Sequence, residues 1–118
     1  MAKYEKEIDG DFTEFLNYVQ NEITNGSLSV SYEDGSNIIM DGVRIAVRVF
    51  ERYSFIGANR VSLSLTLVGV GNKLFLSAIT SGGSQAVFNK MNTIGERSFM
   101  KLCKDCVERY ISPKNMQY

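Results

Sequence analysis

Cys103 and Cys106 have the Cys-x-x-Cys spacing that redox proteins and zinc sites use. A redox pair places its first thiol at the amino end of a helix, where free amides lower the thiol pKa. Here the apolar pattern instead places both thiols in the middle of a helix, on its buried side. A zinc site needs further N or S ligands, and the sequence has no other cysteine and no histidine. We therefore predict core cysteines, no metal site and no cofactor.

The stretch Ser81-Gly82-Gly83-Ser84 could present backbone amides and hydroxyls to an anion. A phosphate-binding P-loop also needs its lysine and a helix directly after the glycines, and neither follows here. A flexible reversal or a bulge is the structural alternative for such a stretch. We keep these residues as a candidate ligand-binding segment.

Arg44, Arg48 and Arg52 recur along one predicted strand, with Phe50 between the last two. Alternation places them on the face opposite to a row of branched residues that we expect in the core, namely Val43, Ile45, Val47 and Val49. An open sheet face with arginines, hydroxyls and an aromatic ring could bind phosphates or unstacked bases. Thirteen Lys plus Arg balance thirteen Asp plus Glu, so we do not favour nucleic acid as a partner.

The same outer face has two other interpretations. It is a solvated antiparallel face with ion pairs, or it is a homodimer surface. The apolar residues that such a surface would cover are Phe50, Val68, Phe75 and Ile79. Among these alternatives, a protein interface is the one that we favour.

The absence of histidine also limits catalysis, because it removes the usual general base near neutral pH and every Ser–His or Cys–His pairing. Asp34 and Asp41 belong to predicted turns, where aspartate is expected for local reasons. Nothing in the sequence pairs a nucleophile with a base. We predict no catalytic residues and no enzymatic activity.

The elements that must position these residues begin with a strand at Lys3–Ile8 and a helix. The helix has a buried stripe at helical spacing, formed by Phe12, Phe15, Leu16, Val19 and Ile23. Asp11 and Glu14 form a capping box at its start. Asn25-Gly26 predicts a left-handed residue that ends it.

After Gly26 the apolar period changes to two, which predicts strands. Asp34-Gly35 and Asp41-Gly42 are both hairpin signals, but the two turns together demand opposite faces for one strand. We therefore expect a bulge or a longer loop around Ser36–Ile39.

Two further hairpins follow. A hairpin centred on Ile56 places Arg48 beside Ser64. Gly71-Asn72 then forms a tight turn, which pairs Leu67 with Leu76 and Leu65 with Ala78.

The last helix is predicted from the capping box Thr93-Ile94-Gly95-Glu96 to about Ile111. Its apolar stripe is Phe99, Leu102, Cys103, Cys106, Val107 and Tyr110. Pro113 marks its end, and residues 112–118 are predicted to form a frayed tail. Residues 80–93 could contain one more short strand.

The predicted fold is α+β, with the order β-α-β4-α, in one domain over residues 1–118. A curved antiparallel sheet of about five strands carries two helices on one face. The order resembles the TATA-binding-protein-like and helix-grip arrangements, a likeness of topology that carries no function. The sequence shows no signal peptide and no membrane-spanning apolar run, so we expect a cytoplasmic protein with no membrane partner.

Two regions carry a family resemblance: Val47–Ser54 continuing to Leu63, and Ala78–Ala86 together with Asn92–Glu96. They resemble a family of short, uncharacterised bacterial proteins, over nearly the whole chain. The resemblance implies a bacterial cytoplasmic protein and carries over no catalytic or binding residue.

Three functional hypotheses follow. The first is a non-catalytic binding or interaction domain that forms a homodimer through the outer sheet face. The second is a small-molecule binder that uses a cleft between the sheet and the second helix, with residues 80–91 as its lid. The third is a weak binder of anions or single-stranded nucleic acid through Arg44, Arg48 and Arg52.

Overall fold

The structure is a computed structural model that describes residues 1–54, 59–82 and 89–115. The elements follow the predicted order β-α-β4-α. They are β1 (Ala2–Asp9), α1 (Phe12–Asn25), β2 (Val30–Met40), β3 (Val43–Ser54), β4 (Asn59–Val70), β5 (Lys73–Gly82) and α2 (Asn89–Asn115). The short additional strand considered for residues 80–93 falls partly outside the described residues.

The five strands form one antiparallel sheet in the order β1-β5-β4-β3-β2, so β1 and β2 are its edges. Both helices lie on one face: α1 over β2 and β3, and α2 over β1, β5 and β4. The α+β class and the predicted strand at the first edge are confirmed. The opposite side of the sheet, which we call the outer face, is covered by neither helix.

Helix α1 forms as its apolar spacing predicts. All five stripe residues are buried, and the Glu14 N–H donates to Asp11 Oδ2 at 2.9 Å as an amino-terminal cap. The predicted left-handed ending is wrong. Gly26 has φ −75° and ψ −15°, so the helical conformation continues into this residue, and its N–H bonds the Ile23 carbonyl.

The β4–β5 hairpin has the predicted register, with Leu67 opposite Leu76 and Leu65 opposite Ala78. The β3–β4 register differs by one residue from our prediction, because Arg48 lies opposite Leu65 and not beside Ser64. A shift of one residue exchanges the faces of a strand. Ala46, Arg48 and Phe50 therefore face the helices, and the branched residues of β3 lie on the outer face.

The predicted turn at Asp34-Gly35 is also wrong. Strand β2 runs straight through it, and the register shifts between Tyr32 and Asp34, before the Ser36–Ile39 segment where we expected the irregularity. The second signal does form the turn: Asp41 has φ 49° and Gly42 has φ 79°, as a type I′ hairpin requires. Because the bulge inserts one extra residue into β2, both halves of this strand can pair with β3 on the required face without a second reversal of the chain.

Helix α2 begins at Asn89, so Thr93 lies within it and the predicted start at Thr93 is wrong. Glu96 lies within the helix, and its side chain is buried. The helix also continues past Pro113 to Asn115, beyond the predicted end. Its predicted stripe does enter the core: Phe99, Cys103, Cys106 and Val107 are fully buried, and Leu102 and Tyr110 pack against them.

The two helices join over the sheet through aromatic and polar contacts. The rings of Phe15 and Tyr110 meet edge to face with centroids 4.9 Å apart, and the Tyr18 hydroxyl donates to the Cys106 carbonyl at 2.7 Å. These contacts and the leucines of β4 and β5 make one continuous core.

Candidate functional site

The side of β3 that faces the helices carries an unusual set of residues. Ala46 and Phe50 are fully buried, as a core strand requires, but Arg44, Arg48 and Arg52 occupy the alternating positions. Our placement of these arginines on the open face was wrong. The reason is the one-residue shift in register, which turns the arginines toward α1 and α2.

Arg48 is only 9% exposed, and all its acceptors are neutral. Its Nε donates to Gln20 Oε1 at 3.0 Å and its Nη2 to Asn37 Oδ1 at 2.9 Å. Its Nη1 donates to the carbonyls of Ser36 and Val47 at 3.2 and 2.9 Å. The guanidinium is thus held between α1 and the edge strand, without a carboxylate among the described residues.

Arg44 and Arg52 lie on either side of Arg48 along β3 and are more exposed. The guanidinium of Arg44 lies 4.3 Å from the ring centroid of Phe12 and donates to Thr13 Oγ1 at 3.1 Å. Arg52 makes the equivalent contacts with α2, to the Phe99 ring at 5.9 Å and to the Ser98 hydroxyl at 3.2 Å. Their side chains therefore cover the margins of the core.

A small cleft of about 200 Å³ opens between α1 and the β2–β3 hairpin. We call it the arginine cleft, and its polar lining is Thr13, Asn37, Arg44 and Arg48. Phe12, Leu16 and Ile39 are among its apolar walls, and none of the residues that line it is acidic. The cleft lies beside α1, whereas our second hypothesis expected a cleft under the second helix, with residues 80–91 as its lid.

The outer face carries the branched residues that we expected in the core. One row crosses four strands in register, from Ile38 through Ile45 and Val68 to Phe75. Ile38 is 48% exposed and Phe75 39% exposed. Of the four residues predicted for a homodimer surface, Val68, Phe75 and Ile79 lie here, whereas Phe50 is in the core against the Tyr32 ring.

Ionic groups near the margins of the outer face pair within the chain. Arg60 lies 2.7 Å from Glu51, and Lys73 lies 2.8 Å from Asp9. These partners raise the pKa of Arg60 and of Lys73, so both stay charged and satisfied. The centre of the face is left to branched side chains and hydroxyls.

The first residues of the predicted anion-binding segment already bind a carboxylate of the same chain. The Gly82 N–H donates to Glu96 Oε2 at 3.0 Å, and the Met1 amino group lies 2.9 Å from the same oxygen. Ser81 lies on the outer face opposite Ser62. Gly83 and Ser84 lie outside the described residues. The Gly82 amide therefore binds an internal carboxylate and not an external anion.

Cys103 and Cys106 are free thiols in the core, and the Cys106 thiol donates to the Cys103 carbonyl. Burial, followed by the neighbouring Cys106, raises the pKa of the Cys103 thiol to about 12. Burial likewise raises the pKa of the Cys106 thiol to about 12. Neither thiol is an activated nucleophile near neutral pH. Within residues 1–54, 59–82 and 89–115 we find no acidic, Cys or His cluster suited to a metal ion.

Over the described part of the chain, neither helix has the length and apolar character needed to cross a bilayer. No curated protein and no solved structure matches the sequence. One family model does match, over residues 1–111 of the 118. The chain therefore belongs to the family of unknown function DUF6054.

Proposed function

We propose that this chain is a non-catalytic interaction domain that forms a homodimer through its outer face. The observation that carries the proposal is the row Ile38–Ile45–Val68–Phe75, which lies in register on the side of the sheet that neither helix covers. Exposed apolar rows of this kind mark protein interfaces. Bacterial origin and a cytoplasmic location stay predictions.

The size of the outer face suits a stable dimer. Nine residues of β4, Ser62–Val70, span about 30 Å at roughly 3.3 Å each. Four strands, β2 to β5, at about 4.8 Å give a width of about 19 Å, hence about 570 Å² per copy; β1 is left out because its outward side chains are charged. Two copies would bury about 1,140 Å², above the roughly 1,000 Å² expected of a biological interface.

The charge distribution favours a second copy over a charged partner. The central rows contain branched residues and hydroxyls, such as Val47 beside Thr66 and Thr66 beside Ser77. The ion pairs at the margin already neutralise Arg60 and Lys73. Two sheets pack face to face through interdigitated apolar side chains. Because the centre of this face carries no unpaired charge among its described residues, an identical face can pack on it without bringing like charges together.

The test measures the mass of the protein in solution by light scattering and sedimentation, from micromolar to millimolar concentration. We expect wild type to have the mass of two chains, and Val68→Lys to be monomeric because symmetry brings two new charges to the apolar row. Leu28→Lys is the matched control, since Leu28 is fully exposed away from this face. It should remain dimeric.

Circular dichroism must first show that Val68→Lys is folded. A wild-type protein that stays monomeric at every concentration would overturn the proposal. So would a dimer that Val68→Lys and Leu28→Lys disturb equally, since the dimer contact would then lie elsewhere.

A further inference from the structure

We propose that the arginine cleft binds a small anion that carries a carboxylate or phosphate group. Ile38 and Ile45 of the outer row also line the cleft, but the arginines that carry this inference face the helices, so the two proposals rest on different side chains. It rests on the burial of Arg48, on the hydrogen-bond donors around it and on the dimensions of the cleft.

The first step is the charge of Arg48. A buried guanidinium is normally paired with a carboxylate, because removal of a charge from water is costly. Arg48 is 9% exposed, and its four hydrogen bonds go to two side-chain amides and two carbonyls, all neutral. Arg44 adds a second positive charge to the same cleft. An anion in the cleft would supply the negative charge that the described residues do not.

The second step is the set of donors. A guanidinium has five N–H groups, and Arg48 uses four of them, which leaves one on Nη2. Arg44 uses one N–H, on Thr13. Asn37 accepts from Arg48 through its oxygen, so its amide N–H groups point away from that bond. Guanidinium forks with amide and hydroxyl donors are suited to planar carboxylates and to phosphates.

The third step is size. The cleft has a volume of about 200 Å³. This is below the roughly 300–1,000 Å³ of sites for drug-sized ligands and cofactors. It therefore suits an ion such as inorganic phosphate or a short dicarboxylate. Thr13 and Asn37 are exposed at its rim and Arg48 lies in its floor, so the ion would reach Arg48 from solvent.

The experiment titrates inorganic phosphate, and separately malonate, into the protein at constant ionic strength set with sodium chloride. Arginine side-chain NMR signals report binding at Arg48, and thermal unfolding reports stabilisation. The two anions distinguish a phosphate site from a carboxylate site. We expect saturable shifts of the Arg48 Nε–H signal with at least one of them.

Arg44→Gln removes one charge from the cleft and should weaken binding about tenfold or more, the loss expected for a charge-assisted hydrogen bond. Arg44 is exposed, so this variant should fold. Arg60→Gln is the matched control on the outer face, and its affinity should stay at the wild-type value. Val68→Lys should also bind normally, which separates this proposal from the homodimer.

Two results would overturn the proposal. The first is the absence of any anion-dependent shift at Arg48 in wild type. The second is an equal loss of binding in Arg44→Gln and Arg60→Gln, because the effect would then be a general response to charge.

Discussion

Replacement of Phe50 by alanine tests the register of β3, on which both proposals depend. The Phe50 side chain is fully buried opposite Leu63, and its ring lies 5.7 Å from the Tyr32 ring at 66°. Truncation of a buried phenylalanine costs about 3–5 kcal/mol. In the register that the sequence suggested, the same residue would lie on the outer face and its loss would cost far less.

Val49→Ala is the matched control, because Val49 is the adjacent residue and is half-buried on the outer face. Its truncation should cost about 1 kcal/mol or less. The unfolding entropy of a domain of 118 residues is about 0.25 kcal/mol per kelvin at roughly 2.1 cal/mol/K per residue. The melting temperature should therefore fall by about 12–20 °C for Phe50→Ala and by about 4 °C or less for Val49→Ala.

Thermal and urea unfolding followed by circular dichroism measure both losses. If Phe50→Ala does not fold, Phe50→Leu provides the same comparison, with an expected cost of about 1–2 kcal/mol. The reasoning fails if Val49→Ala is as destabilising as the change at Phe50. Since a dimer would bury Val49, the comparison should be made at a concentration where the protein is monomeric, or in the Val68→Lys background.

Three other perturbations test the core and its margins. The thiols of Cys103 and Cys106 have a pKa of about 12 in the folded protein, against an ordinary value of 9.0. As the pH rises above 9, the unfolded chain therefore loses these protons first. The free energy of unfolding should fall between pH 9 and 12 by up to about 2.7 kcal/mol per pH unit. Urea midpoints across that range should decline less in a double alanine variant; equal slopes would contradict the assignment. Gly35→Ala should cost about 1–3 kcal/mol in urea unfolding, because its Cβ would lie 2.7 Å from a β3 carbonyl; an unchanged midpoint would contradict this contact. Glu96→Ala should also cost about 1–3 kcal/mol, since it leaves the Gly82 amide without its acceptor. Asp105→Ala, at an exposed ion pair of the same helix, should change the stability little. Similar losses in the two variants would contradict the role of Glu96 as a buried acceptor.

Local sequence signals predicted those parts of the fold in which one face is clearly apolar. Helix α1 has a single stripe and a cap, and both form as expected. The β4–β5 hairpin has leucines on one face and hydroxyls on the other, with a tight turn that fixes the register. In these elements the hydrophobic pattern and the turn chemistry agree, which leaves one arrangement.

Strand β3 could not be predicted in the same way, because both its faces carry large apolar groups. Val43, Ile45, Val47 and Val49 outnumber Ala46 and Phe50, so alternation alone favours the wrong face. The decisive constraint is the pairing of Ser54 with Asn59, which sets the register with β4 and lies in a connection without a strong turn signal. The arginine cleft was missed for the same reason, since it exists only when β3 turns its arginines toward the helices.

Gly35 shows why the first hairpin signal, Asp34-Gly35, failed. The Asp-Gly dipeptide suits a turn, yet the same glycine also allows close approach of neighbouring groups, and here it lies between the Tyr32 hydroxyl and the Val47 carbonyl. The Asp34 carboxylate accepts from the Gly35 N–H at 2.8 Å, which satisfies that amide locally. Sequence alone cannot distinguish the two uses of glycine, because the competing turn at Asp41-Gly42 lies a few residues away.

Strand β3 buries an arginine and exposes branched apolar residues, the opposite of what folding stability alone would favour. Burial of Arg48 among neutral acceptors costs desolvation, and exposure of Ile45 and Val47 on the outer face gives up apolar burial. A one-residue slip of β3 would reverse both costs, but it would place Phe50 in water, away from Leu63 and the Tyr32 ring. The fold therefore retains an uncompensated cation on one side and an uncovered apolar row on the other. Both costs would be recovered by binding, the first by an anion in the arginine cleft and the second by a second copy on the outer face. Departures from local rules are expected where a protein binds something, which is why the two proposals lie on opposite faces of the same strand.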